Sequence, residues 1–209
     1  MKRQIAGTAA ILACLLSAGM TGCSGRGSDS SAPADAPGCY SVTASMSCYI
    51  PAMGGVEFGA TLLTDTEYTV SEDGSAELTL HLTKSSVTIY SITCYTFVDA
   101  APDTGAEPTE GEAADGTIGY YDDDLGLVTE GVEYTLSDDT TPNPAGEEVH
   151  YVDSITFPVA EKKETYYLTF YINSTVMGAQ FKVTADGGTS RAATLTVDWS
   201  ALQAREAAE

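Results

Sequence analysis

Between Tyr40 and Ile50 the chain alternates strictly, with Tyr40, Val42, Ala44, Met46, Cys48 and Ile50 at even positions and mostly serine or threonine between them. Side chains in a strand repeat every two residues, so this stretch predicts a strand with one dry and one wet face. Glu67 to Ser71, the turn signal Glu72-Asp-Gly-Ser75 and Ala76 to Thr83 predict a hairpin, with Leu78, Leu80 and Leu82 inward and Glu77, Thr79 and His81 outward. Val87 to Val98, rich in β-branched and aromatic residues, predicts one strand with a bulge near Tyr90 and Ser91. In Val149 to Val159 the inward set is Ile155, Phe157 and Val159, and in the last strand it is Ala193, Leu195, Val197 and Trp199.

The most informative stretch is Val159 to Val183. Thr165 to Ile172 alternates without a break, which places Tyr166, Leu168, Phe170 and Ile172 inward and Thr165, Tyr167, Thr169 and Tyr171 outward. A turn signal at Asn173 to Thr175 and a return through Met177-Gly-Ala-Gln-Phe181 complete a hairpin. Between these strands, Pro51 to Ala60 reads as a long turn with Met53 and Phe58 plugging the core, and Asp99 to Leu125 and Ser137 to Glu148 read as surface loops. The sum is an all-β fold: an antiparallel immunoglobulin-like β-sandwich of about eight to ten strands.

The ends of the chain change the picture. Lys2 and Arg3, the apolar run Ile11-Leu-Ala-Cys-Leu-Leu and the small residues up to Gly22-Cys23 have the order of an export signal. Met20-Thr-Gly-Cys23 resembles a bacterial lipoprotein cleavage box, which implies lipid on Cys23, a cell-surface location and no membrane contact except through that lipid. A plain secretory signal is the alternative. Residues 24–38, rich in serine, glycine, proline and alanine, cannot bury a core and read as a tether. The domain is then expected over 39–200, with a frayed polar tail at 201–209.

Charge and cysteines narrow the function. The formal net charge is −21, and −23 once Lys2 and Arg3 are removed with the signal. Such a chain repels phosphate backbones and anionic head groups, which makes nucleic acid a poor partner. Outside the signal and Cys23 remain Cys39, Cys48 and Cys94, an odd number. Cys39 and Cys48 lie nine apart in one strand and point to opposite faces; Cys48 and Cys94 either pair or stay as buried thiols.

Catalytic signatures are sparse. His81 and His150 have no metal-ligand spacing around them, and no nucleophile elbow, HExxH, phosphate loop or dinucleotide fingerprint occurs. Asp122-Asp-Asp124 lacks the spacing of a calcium loop and reads as a solvated loop. A binding protein, not an enzyme, is the expectation.

The order of short motifs carries one resemblance. An exported domain opens with Y-x-V-x-A-x-M at Tyr40 to Met46, followed by a Met/Gly segment and a T-V-x-x-D-G-x-A-x-L-T-L hairpin from Thr69 to Leu80. It closes with Ser154-Ile-Thr-Phe-Pro-Val159, an aromatic strand and a short apolar return. Across Tyr40 to Val183 this resembles the NEAT domain, the near-iron-transporter module of bacterial surface proteins.

The resemblance implies heme, or a related porphyrin, as ligand and iron acquisition as role. Met53 and Phe58 would form a lip over it. Tyr167-Leu-Thr-Phe-Tyr171 matches the family's Y-x-x-x-Y pair, which would make Tyr167 and Tyr171, with Met177 beside them, the heme-iron candidates and Phe181 a further contact. When Ser154 to Val159 is set on its family counterpart, however, the tyrosines fall on the first strand of the hairpin, whereas the family carries them on the second.

Two further readings stand beside heme. In one, the fold lacks an iron ligand and binds a host or bacterial protein or glycan. In the other it is a ligand-free spacer, its tyrosines serving only the sheet, where cross-strand aromatic pairs contribute about 0.2–1 kcal/mol each.

Overall fold

The computed structural model describes residues 36–50, 56–57, 59–87, 92–98, 117–143, 146–173, 178–181 and 192–205. Its elements in chain order begin with β1 (Gly38–Ser47), β2 (Tyr49–Ile50), β3 (Val56–Glu57), α1 (Gly59–Leu62), β4 (Leu63–Val70) and β5 (Ala76–Leu82). There follow β6 (Ser85–Val87), β7 (Ile92–Phe97), β8 (Gly119–Asp122), β9 (Gly126–Val128) and β10 (Glu133–Pro142). The last are β11 (Glu148–Pro158), β12 (Thr165–Asn173), β13 (Gly178–Phe181) and β14 (Ala193–Ala204).

All the described pairings are antiparallel, and they join nine strands in the order β10-β11-β5-β4-β1-β14-β12-β7-β6. Strands β13 and β8 also pair with β12, and β9 extends the sheet from β8. The fold is therefore all-β, as the alternation requires. The sheet curls: β11 packs against β7 although five strands separate them in the order, with the Tyr95 and Tyr151 rings 4.9 Å apart. Strand twist of a fixed hand gives a long sheet this tendency, and curling lets its dry face cover itself.

Most of the core is the set the alternation picks out, although Trp199, expected inward, is only half-buried. Tyr40, Val42, Met46 and Cys48 are buried from β1 and the residue after it, Leu78, Leu80 and Leu82 from β5, and Ala193, Leu195 and Val197 from β14. Phe157 lies between Tyr120, 5.0 Å away ring to ring, and Tyr166, 5.5 Å away. Each such burial contributes about 1.5–3 kcal/mol. Gly59 starts α1 against β1, where a Cβ would stand 2.1 Å from the Met46 carbonyl oxygen, so only glycine permits this approach. Cys48 and Cys94 are both buried in this core as thiols.

Several elements depart from the sequence expectation. Val87 to Val98 is not one bulged strand: Val87 pairs with Ile92, so β6 and β7 form a hairpin. Gly119 to Asp122 is not loop but β8, because its backbone is paired on both sides, to β12 and β9. Ser137 to Pro142, expected in a loop, belongs to β10, an edge strand paired only to β11. The start of the expected tail is paired: Ala204 lies opposite Tyr40, and the Arg205 NH donates to the Cys39 carbonyl at 2.9 Å. Between Ser41 and Thr43 the β1–β14 register shifts from Gln203 to Asp198, and β14 carries the surplus residues that include Trp199.

Candidate functional site

A groove opens on the described surface beside the start of β12. It has a volume of about 280 Å³ and lies between the β8–β9 hairpin, the end of β11 and the connection into β12. The buried rings of Tyr120 and Tyr166, with Val159, make its apolar side. Half-buried Tyr121, the acids Asp124 and Glu161, and Leu125, 75 % exposed, stand at the rim.

Local hydrogen bonds fix these walls. The β8–β9 turn closes because Asp122 Oδ1 accepts from the NH groups of Asp124 at 2.9 Å and Leu125 at 3.1 Å, while Gly126 takes the left-handed backbone (φ 74°). Across the groove the Tyr166 hydroxyl accepts from the Lys163 NH at 3.0 Å and donates to the Glu161 carbonyl at 3.2 Å. Trp199 Nε1 donates to the Lys163 carbonyl at 2.7 Å. Lys163 Nζ then ties the two walls, 2.9 Å from Asp123 Oδ2 and 3.4 Å from Asp122 Oδ2. Asp122 and Asp123 therefore serve a turn and an ion pair within the solvated acidic stretch expected from the sequence, where Asp123 remains 76 % exposed.

The ionisation of these groups follows from their partners. The NH of Asp124 is the main cause that holds the Asp122 carboxyl below the usual carboxylate range, with Lys163 adding to it. The bond to Asp123 raises Lys163. Burial pushes both the Tyr120 and the Tyr166 phenols up.

Of the residues expected to hold heme, Tyr167 and Tyr171 have described side chains, and they differ. Tyr167 is half-buried, opposite Thr194 on one side and Tyr121 on the other. Tyr171, expected on the outward face, is only 5 % exposed, and Thr169 beside it is fully buried. The reason is the change of neighbours along β12: its first half pairs with β14 and β8, its second with β7 and β13. A strand buried on both faces loses the wet face that alternation implies. Tyr171 does not fit a ligand to iron held in an open slot. Phe181 is placed by backbone register opposite Phe170. Met53, Phe58, Met177 and Cys23 lie outside the described residues.

A second constellation escaped sequence reasoning. On the wet face of β4 and β5 the structure brings Asp65, Glu67 and His81 together, with one donor atom of each within 4.8 Å of the others. His81 Nε2 is 3.5 Å from Glu67 Oε1, shut off from solvent and without a hydrogen-bond partner. Arg205 bridges the two carboxylates, and its Nε donates to Ser41 Oγ at 2.8 Å. The Cys39 thiol, pushed up chiefly by burial, is 3.9 Å from Glu67 Oε2. Burial opposes ionisation of Asp65, but the bonds from Arg205 and the Thr66 NH outweigh it and hold the carboxyl below its usual range.

The signal was the hairpin turn. Each step back along β4 from Val70 opposes one step forward along β5 from Ala76, which sets Glu67 opposite Thr79 and leaves Asp65, two residues away on the same face, opposite His81.

No protein-family model, no curated protein and no solved structure matches this chain. Among the described residues no helix is long and apolar enough to cross a membrane.

Proposed function

We propose that this chain is a lipid-anchored bacterial surface module, an immunoglobulin-like sandwich in its working architecture, that binds a neutral glycan without chemical change. The observation that carries the reading is the groove lined by Tyr120, Tyr121 and Tyr166 between the β8–β9 hairpin and the connection into β12, with carboxylates at its rim. Tyrosine offers a flat apolar face with a polar edge, and it does so with little entropy to lose. Asp124 and Glu161 supply acceptors for sugar hydroxyls, and charge-assisted hydrogen bonds of this kind are the stronger ones. The volume falls just below the range of small-ligand sites, roughly 300–1,000 Å³, which suits one or two sugar rings better than a porphyrin. Net charge of −21 argues against acidic polysaccharides.

An array of neutral and acidic glycans tests this with the purified protein. Binding to neutral glycans, weakened about tenfold or more by Tyr121→Ala, is expected; a truncated contact residue of this kind costs about 1–2 kcal/mol or more. Absence of binding, or binding indifferent to Tyr121→Ala, removes the reading. Hemin supplies the opposing arm. A saturable Soret shift lost in Tyr167→Phe would favour porphyrin, since Tyr167 is the heme-iron candidate that the structure leaves half-buried rather than enclosed.

A further inference from the structure

The Asp65–Glu67–His81 cluster has two properties that an ordinary surface ion pair lacks. Its histidine nitrogen is buried and unsatisfied although the ring as a whole is 37 % exposed, so the atom is aimed into the cluster. A buried polar atom without a partner is costly, and the position persists only if something compensates it. Its separation from Glu67 Oε1, 3.5 Å, is long for a hydrogen bond but matches the spacing of two ligands of one metal ion. Two donors each about 2.1 Å from a tetrahedral zinc stand about 3.4 Å apart.

The charges point the same way. Asp65 and Glu67 bring two negative charges and Arg205 returns one, so the cluster remains negative within a strongly acidic chain. A divalent cation would balance it. Asp65 is 48 % exposed on the side chain and can rotate to close the remaining distance. Arg205 would stay attached through its backbone NH to Cys39 and its Nε to Ser41 while its guanidinium yields the carboxylates.

We propose that Asp65, Glu67 and His81 form a site for a first-row divalent transition metal such as zinc, at which the Arg205 guanidinium and the metal exchange for the same carboxylates. The imidazole donor selects such ions over calcium, which prefers oxygen alone. This inference is independent of the groove and of what binds there.

Titration of the purified full chain with zinc chloride against a fluorescent zinc chelator, with calorimetry alongside, tests it. One zinc per chain at micromolar concentration is expected. His81→Ala and Asp65→Asn should each weaken it about tenfold or more, as loss of a ligand or its support does. Arg205→Gln should tighten it, an effect that a purely structural role for Arg205 would not produce. His150→Ala, whose ring Nδ1 is 2.7 Å from the Ser137 carbonyl far along another strand, should leave it unchanged.

Thermal melting accompanies each variant. His81 Nε2 has no hydrogen bond to lose, so His81→Ala should melt like the parent and decide the matter even if Arg205→Gln is destabilised. No saturable uptake by the parent chain, undiminished uptake by His81→Ala, or displacement of zinc by millimolar calcium would each overturn the proposal.

Discussion

Strands β1 and β12 begin from the same pattern and end in different surroundings. In β1 the even positions Tyr40, Val42 and Met46 are buried, while Thr43, Ser45 and Ser47 are exposed. Strand β12 keeps a half-buried Thr165 and Tyr167 in its first half, then buries Thr169, Phe170, Tyr171 and Ile172 in succession. The difference is one of position: β1 stays paired to β14 from Tyr40 to Ser47, with β4 beside its first residues only, whereas β12 exchanges β14 and β8 for β7 and β13 midway. Alternation reports how many faces of a strand are dry. Which neighbours a strand has midway is a property of topology.

The sharpest test of this contrast lies within β12. Tyr171→Ala should destabilise the fold by about 3–5 kcal/mol, as large-to-small changes of buried aromatics do, whereas Tyr167→Ala should cost about 1 kcal/mol. Equal losses in urea unfolding would break the comparison. On β1 the corresponding weak point is its dry-side contact with α1. Gly59→Ala sets a methyl group against the Met46 carbonyl, and an expected loss of about 1–3 kcal/mol is read from the same unfolding curves.

The wet face of β4, the neighbour of the start of β1, should respond to acid. The Asp65 carboxyl ionises more readily in the fold than in the unfolded chain, so its contribution is present above the unfolded value, about 3.9, and fades as pH falls through the folded one. Melting temperatures from neutral pH down to acid should therefore fall less steeply in Asp65→Asn than in the parent. Smallest of all, Ser45→Ala on the exposed face of β1 should change stability by no more than about 0.5 kcal/mol. A larger effect would mean that this face is covered.

The same contrast explains what could be read in the chain. β1, β5 and the first part of β14 were legible because each has a single dry face and apolar residues at every second position. β10 was not, since an edge strand with Thr135, Asp138, Asp139 and Thr140 exposed needs no apolar pattern, and its aspartates look like loop. β8 was hidden at the end of an acidic stretch, and its four residues are too few for a period to declare itself. Ser200 to Ala204 resembled a tail because its partner is the far end of β1, more than 150 residues away in the chain.

The alternation of β12 gives partial warning of the groove by placing Tyr166 inward, but Tyr120 and Tyr121 fall in a stretch whose composition reads as loop. Asp65, Glu67 and His81 were individually ordinary. Their meeting depends on cross-strand register, and motif spacing within one strand does not express it.

The pairing of β1 with β14 has a mechanical consequence. Tyr40 faces Ala204, so the points at Gly38 and Arg205 where the chain joins and leaves this pair lie side by side. Tension applied between those points would open the pair like a zipper, one rung at a time, instead of shearing all its rungs together. The bonds from Arg205 to Cys39, Ser41, Asp65 and Glu67 would bear that load first, which makes a single side chain at the seam the catch that decides when unzipping begins.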